Sequence, residues 1–381
     1  VSGRVSLRYV DSYDYNRLRD AVLLLLEPLG GIGAFVGSGE RVLLKPNMLS
    51  AKAPASAVTT HPVLVKVVAE LVRETGATVL IGDSPGFGSF HRVAGRTGIS
   101  WAARESGAEL APFDETIEVC GSGLFRRITI ARAYWEADKI INLPKLKTHE
   151  MMTMTCAVKN LFGAVVGTEK AAWHLKAGAS RQQFARLLLE ICLLKKPTLN
   201  IVDAVVAMEG DGPGGGDAVS LNALIAGVDP VAVDVVAARL AGIAQDLLPI
   251  EREAKRMGLS GANRAGVKLV GTSLERFARE PFRLPKGLDT QFGLPEFIKK
   301  RLKRYLTARP YVDKERCVLC GVCRDSCPPR VITIQNSALS IDEGRCIRCW
   351  CCRELCPQSA MEVRPSVLMK LVSILKEVRR R

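Results

Sequence analysis

Apolar residues recur along the first three quarters of this 381-residue chain in two rhythms that take turns. One is the short aliphatic run. Val5–Val10, Arg41–Leu44, Thr78–Ile81, Lys139–Asn142 and Leu199–Val202 each read as a strand, with Leu224–Ala226 and Val267–Val270 as shorter candidates. The other rhythm is helical. Leu18, Val22, Leu25 and Leu26 fall at i, i+4, i+7 and i+8 on one helix face, and Leu64, Val67, Val68 and Leu71 form the next such face. Strands separated by helical crossovers predict an α/β fold over residues 1–280: a mostly parallel sheet with helices on both faces.

Beyond residue 280 this alternation stops. Pro, Gly and Phe take over near 281–295, so residues 281–308 read as a linker and a basic helix carrying Phe297, Ile298, Leu302 and Tyr305. Cysteines dominate 309–364. The tail, 365–381, sets Val367, Leu371, Ile374, Leu375 and Val378 along one side and ends in Arg379-Arg380-Arg381. It reads as a C-terminal basic amphipathic helix that docks on the protein's own body or makes peripheral contact with a membrane surface or partner.

Hydrophobic residues make up 48% of the chain, enough for a buried core, yet no run of about 18 apolar residues suggests a spanning helix. Arg4, Arg8 and Asp11 break up any secretion signal, so the expected location is the cytoplasm. The net charge of +15 is uneven, since residues 294–381 hold 19 Lys and Arg against 9 Asp and Glu. That excess suits an acidic redox partner protein. Nucleic acid is the weaker reading, because basic and aromatic residues do not interleave.

Nine of the twelve cysteines lie between 317 and 356. Cys317, Cys320, Cys323 and Cys327 follow C-x-x-C-x-x-C-x-x-x-C, with Pro328 next; Cys346, Cys349, Cys352 and Cys356 repeat the run, with Pro357 next. Two-residue gaps let a tight loop aim three thiolates at one metal centre while its amide groups face the sulfurs. Zinc ribbons also use C-x-x-C pairs and are the alternative, but duplicated runs of four favour iron–sulfur clusters. The pattern resembles the bacterial ferredoxin run, in which the fourth cysteine crosses to the other cluster. That resemblance implies a small ferredoxin-like (α+β) domain with two 4Fe–4S clusters. It assigns Cys317, Cys320, Cys323 and Cys356 to one, and Cys346, Cys349, Cys352 and Cys327 to the other. Cys351 falls outside the spacing and reads as a spare thiol. Cys120 and Cys192 read as small buried hydrophobes; Cys156 is harder to dismiss.

Ligands of open α/β sheets sit beyond the carboxyl ends of the strands. Four polar clusters follow predicted strands: Lys45-Pro46-Asn47, Asp83-Ser84-Pro85-Gly86, Asn142 through His149, and Asp203 with Glu209 and the glycines of 210–216 downstream. Together they argue for a cleft. Lys45, Lys145, Lys147, Lys159 and Lys170 favour a small anionic ligand, and His149 or His174 could move a proton. Lys45, Asp83, Lys145, Lys147 and His149 are the catalytic candidates; Asn47, Lys159 and Asp203 are the cofactor-binding ones. The alternative is solvated lysines and helix-capping aspartates. Residues 210–216 form no phosphate-binding fingerprint and read as a mobile loop over the cleft or a plain surface turn. Thr148–Thr155 is polar enough to be a ligand loop.

These segments resemble the family called domain of unknown function 362. The likeness rests on Lys45-Pro46-Asn47, Gly82 through Gly86, Leu143 through His149 and Lys159-Asn160-Leu161-Phe162-Gly163 with Lys170 and His174. It continues through Val202-Asp203, Gly210 to Pro213 and Asp229 through Asp234. Members often carry a ferredoxin module, but the family has no settled activity to lend. The expected function is therefore an oxidoreductase passing electrons from two clusters to a small anionic substrate. The alternatives are an electron carrier or metallocofactor-assembly factor whose α/β domain binds a partner protein, and a nucleic-acid enzyme with structural clusters. A further unknown cofactor, flavin or nicotinamide, could bind the α/β domain without a fingerprint.

Overall fold

The computed structural model describes residues 3–86, 88–167, 169–177, 180–285 and 309–364. The basic helix expected within 286–308 and the C-terminal helix expected at 365–381 lie outside the described residues. Among the described residues no helix is long and apolar enough to cross a membrane.

The chain begins β1 (Arg4–Tyr9), α1 (Tyr15–Leu26), β2 (Arg41–Pro46), α2 (Pro62–Arg73), β3 (Thr78–Ile81), α3 (Phe90–Arg96), α4 (Ile99–Ser106) and β4 (Glu109–Leu110). A side hairpin, β5 (Thr116–Cys120) and β6 (Arg127–Ala131), leads through α5 (Arg132–Glu136) to β7 (Lys139–Leu143), β8 (Lys145–His149) and β9 (Thr153–Thr155). Then come α6 (Ala157–Asn160), α7 (Glu169–Ala177), α8 (Arg181–Leu194), β10 (Leu199–Glu209), β11 (Asp217–Gly227), α9 (Pro230–Leu240), α10 (Pro249–Arg256) and β12 (Lys268–Gly271).

The main sheet runs β12-β1-β11-β10-β7-β2-β3-β4, and β8 and β9 extend it beyond β10. The pairs β1–β12, β10–β7, β10–β8, β2–β7, β2–β3 and β3–β4 are parallel, while β11 is antiparallel to both its neighbours. Period-2 geometry explains why the strands read as unbroken apolar runs. Val42 and Leu44 enter the core under α1 to α4, whereas Leu43 enters the opposite core with α5 and α8. Helices thus cover both faces.

Three local readings change. Leu224–Ala226 is part of an eleven-residue strand, and residues 210–216 are the connection between β10 and β11. Lys145–Thr155 is a β-hairpin and not a loop. Cys120 is exposed at the end of β5, because that hairpin edge has no layer over it.

The cysteine module folds as a two-fold repeat. The pairs β13 (Arg309–Val312) with β16 (Met361–Arg364), and β14 (Ile332–Gln335) with β15 (Ala338–Ile341), are antiparallel. Asp313 N donates to Ala360 O and Asp342 N to Val331 O, each at 2.8 Å; Val331 N donates to Cys327 Sγ at 3.4 Å and Ala360 N to Cys356 Sγ at 3.2 Å. Each of these bonds in one half has its counterpart in the other. The halves differ where the module meets the body. Gly321 caps the short helix Val322–Asp325 at φ 80°; its counterpart Trp350 caps Cys351–Glu354 at φ 66°. A bulky residue in the left-handed region is strained. What offsets it is burial, because Trp350 joins the core that holds Met151, Phe162 and Phe184. Arg353 adds ion pairs to Glu150 and, at 2.9 Å, to Asp211.

Replacing Trp350 by Gly therefore loosens the module from the body. The expected net loss is roughly 2–3 kcal/mol: ~3–5 for the buried indole, less ~1–2 recovered from backbone strain. Hydrogen exchange on the cluster-loaded protein should show lost protection in the Glu150–Thr153 turn and the 210–216 connection; unchanged protection there would sink this account of docking.

Candidate functional site

Strand pairing sets the site. Lys45, near the end of β2, lies beside Asn142 of β7, and Lys145 of β8 lies beside Asp203 of β10. Lys45 Nζ meets Asp83 Oδ1 at 2.7 Å, and Met48 N donates to Asp83 Oδ2 at 2.8 Å. Both side chains are buried. Burial pulls the Lys45 ammonium below its ordinary value, against the attraction of Asp83. Space for this pair exists only because residue 163 is glycine, since a Cβ there would lie 2.0 Å from Asp83 Oδ1 and 2.5 Å from Lys45 Nζ.

A second buried pair stands beside the first. Lys145 Nζ donates to Asp203 Oδ2 at 2.8 Å and to Tyr13 Oη at 3.0 Å, while Tyr13 Oη donates to Asp203 Oδ1 at 2.6 Å. His61 N donates to Asp203 Oδ2 at 2.8 Å, and its ring stacks on Tyr13 with centroids 3.6 Å apart. Burial pushes the His61 imidazole down to about 4, overriding the opposing pull of Asp203, so the ring is neutral at physiological pH.

Asparagines tie the strand ends together. Asn47 Nδ2 donates to Asn160 Oδ1 at 2.8 Å, Asn160 Nδ2 to Asn142 Oδ1 at 2.8 Å, and Asn142 Nδ2 to Asn200 Oδ1 at 2.9 Å. Lys147 Nζ joins this chain through Asn47 Oδ1 at 2.8 Å and Val58 O at 2.6 Å.

A cavity of about 340 Å³ opens against this network. Asn47, Asp83, Lys147, Lys159, Lys170 and His174 line it, and so do Ser326, Cys351 and Leu355 of the cysteine module. Lys170 Nζ donates to Ser84 O and, at 3.2 Å, to Pro85 O. Part of its surface faces the cavity and protein surrounds the rest. That desolvation lowers its amine to about 7, with Asp83 opposing and Lys45 and Lys159 assisting. His174 stacks on Phe184 with ring centroids 4.2 Å apart.

The remaining candidates sit apart from the cavity wall. Lys45 backs Asp83, and Lys145 with Asp203 forms the neighbouring Tyr13–His61 network. His149 is buried in the β8–β9 turn, where its Nδ1 accepts from Met151 N at 3.0 Å and Met152 N at 3.1 Å. Tyr13 and His61 carried no sequence signal, being isolated residues in connecting segments. Asp229 and Asp234 of the family-like stretch hold helix starts: Asp229 accepts from Val231 N and Ala232 N, Asp234 from Ala157 N and Val158 N.

In the cysteine module one void is lined by Cys317, Cys320, Cys323 and Cys356, and a second by Cys327, Cys346, Cys349 and Cys352. This is the crossed pairing implied by the ferredoxin resemblance. Four thiols spread around a void suit a cubane, whereas among the described residues no three His, Cys, Asp or Glu side chains converge on a single ion. The residues fit the group.

Two family models match separate parts of the chain. Residues 42–239 match the family model described as Domain of unknown function (DUF362), and residues 309–357 match the 4Fe-4S dicluster domain. Over 302 residues the chain is 36% identical to a protein named thylakoid-associated protein sll1697 from Synechocystis sp. (strain ATCC 27184 / PCC 6803 / Kazusa), covering 79% of this chain and 94% of that one. Among solved structures, lactate racemase apoprotein from Thermoanaerobacterium thermosaccharolyticum aligns with TM-score 0.42 at 11% identity, over 64% of this chain and 58% of that one. A protein from Thermotoga maritima aligns with TM-score 0.34 at 14% identity, over 52% of each chain. This chain thus spans just over half the length of either solved protein, and at these identities the likeness concerns fold alone. The dicluster match makes the C-terminal module an iron–sulfur electron-transfer domain for two 4Fe–4S clusters.

The Lys45–Asp83 pair gives a stability test. Lys45→Met or Asp83→Asn alone strands one buried partner and should cost about 3–5 kcal/mol. The double variant should recover much of that loss, because no uncompensated charge remains. Denaturant unfolding of the three variants checks this, and single losses below about 1 kcal/mol would contradict a dry pair.

Proposed function

Because the chain belongs to the DUF362 family and ends in a dicluster domain, we propose that it is an oxidoreductase that takes a small anionic substrate into the cavity between its two parts. One observation carries this reading. Ser326, Cys351 and Leu355 line the same cavity as Lys147, Lys159 and Lys170, and each directly precedes a cluster ligand: Cys327, Cys352 and Cys356. When bound, the clusters supply electrons one at a time.

The chain's own residues do the rest. Lys147 and Lys159 attract the anion, and the module forms part of the cavity wall around these charges. Lys170, with its amine near 7, is placed to give or take the proton that accompanies a reduction. Electrons reach the protein where the module meets solvent. There Cys320 is exposed and Val318 is 63% exposed, and the basic character of the C-terminal segment suits an acidic redox partner protein. A cavity lined by lysines and shared between the two parts favours this reading over an electron carrier or assembly factor.

Native mass measurement of protein purified without oxygen, against its apo mass, is the test. Two 4Fe–4S units plus a retained or titratable small anion, with perturbed electron paramagnetic resonance of the reduced clusters, supports the reading. Clusters alone, with no anion binding at any concentration tried, overturns it in favour of a carrier.

A pH dependence follows from Lys170. Its folded value lies below the ordinary lysine value of 10.5, and an anion binds its protonated form. Affinity should therefore rise as pH falls toward 7, by up to about tenfold per pH unit, and level off below. Asp83, Lys45 and Lys159 act on the same amine, and His174 and Asp325 share the cavity. For that reason Lys170→Met is the control, and it should flatten the profile. A profile that stays unchanged in Lys170→Met would assign the proton elsewhere.

A further inference from the structure

Thr155 ends β9 directly across the ladder from Lys147 of β8. Residues paired in this way project from the same face of a hairpin, and both line the cavity. Thr155 is 3% exposed, and among the described residues its Oγ1 meets no hydrogen-bond partner. A buried hydroxyl ordinarily finds a partner. Its polar neighbours on the cavity wall are engaged with one another: Asp83 with Lys45 and Met48 N, Asn160 with Asn47, Asn142 and Lys45 O. The Lys147 ammonium is fixed by Asn47 Oδ1 and Val58 O, so positive charge is held in the same cavity wall as the hydroxyl and does not swing in solvent.

We propose that Thr155 donates a hydrogen bond to an oxyanion group of the substrate, a carboxylate or a phosphate, with Lys147 supplying the charge. The Thr155–Lys147 hairpin then selects molecules that carry such a group. The rest of the cavity, with Lys170 and Leu355, is left for the part of the molecule that changes. This rests on the reading of the cavity as the substrate site and adds to it the substrate's chemical class and the residue that recognises it. A lysine alone attracts any anion. A hydroxyl fixed in the same wall favours oxygen acceptors of defined geometry.

The probes are inorganic phosphate and acetate, titrated calorimetrically into the oxygen-free, cluster-loaded protein and its variants. Thr155→Val keeps the shape and removes the hydroxyl. It should weaken the preferred probe by about tenfold to a hundredfold, whereas Thr155→Ser should stay within about threefold of the parent. Unchanged electron paramagnetic resonance spectra in both variants confirm intact clusters. Preference for phosphate or for acetate identifies the oxyanion. Equal affinity in Thr155→Val and the parent overturns the proposal. If Lys170→Met weakens binding while Thr155→Val does not, the cavity reading stands and this inference falls; if the parent binds neither probe, both fall.

Discussion

Lys45 and Lys145 each place an ammonium group where water does not reach, an arrangement that would cost several kcal/mol if either stood alone. Asp83 and Asp203 make it tolerable, and in doing so they dictate the surrounding geometry. Asp83 must lie within reach of β2, which fixes how the chain leaves β3. Asp203 holds Lys145, Tyr13 and the His61 backbone at once, which fixes where β8 departs from β10 and where α2 begins. The asparagine chain from Asn47 to Asn200 then links the end of β2 to α6, β7 and β10, each amide donating to the next. Such a network resists small displacement, because moving one member leaves a buried polar group without its partner. The cavity wall inherits that rigidity.

The cluster module is attached by breaking its own symmetry. Arg324 of the first half reaches solvent and pairs with its neighbour Asp325; its counterpart Arg353 bridges Glu150 and Asp211 of the body. Gly321 takes a left-handed conformation at ordinary cost, while Trp350 takes it under strain and is held by burial. The body answers with close-fitting backbone. A Cβ at Gly212 would lie 2.2 Å from Thr148 O, so the 210–216 connection packs closely onto the β8–β9 hairpin. Both halves border the cavity, but the buried indole and the ion pairs to the body belong to the second half.

Much of this was legible in the sequence for physical reasons. The apolar runs of β2, β3, β7 and β10 are short and bounded, and the cysteine spacing leaves little freedom in how thiolates can meet a cluster. Lys45, Asp83 and Asn47 were legible because they follow strands in a fold whose ligands sit there. The β8–β9 hairpin was not. Lys145-Leu146-Lys147-Thr148-His149 has no apolar alternation, yet all five side chains are buried, and Lys145 and Lys147 are tolerated there because Asp203, Asn47 and Val58, distant in sequence, accept from them. His149 looked like a proton carrier, but in the structure its Nδ1 is committed to two backbone amides of its own turn. Tyr13 and His61 gain their surroundings only through long-range pairing, which single-sequence periodicity does not encode, and Thr155 gains its place opposite Lys147 from that same hairpin.

The chemistry of the cavity and its closure are one property. Lys170 is held by neutral backbone oxygens of Ser84 and Pro85, and its amine is low because protein surrounds it. Part of the cavity's enclosure comes from Asp325, Ser326, Cys351 and Leu355, which belong to the module. A body without its module would lose that part of the wall, and any added solvation of the amine moves it back toward the ordinary lysine value. In the proposed reaction, docking sets the clusters and the Lys170 amine on one cavity, so that electron supply and proton supply depend on the same contact between the two parts of the chain.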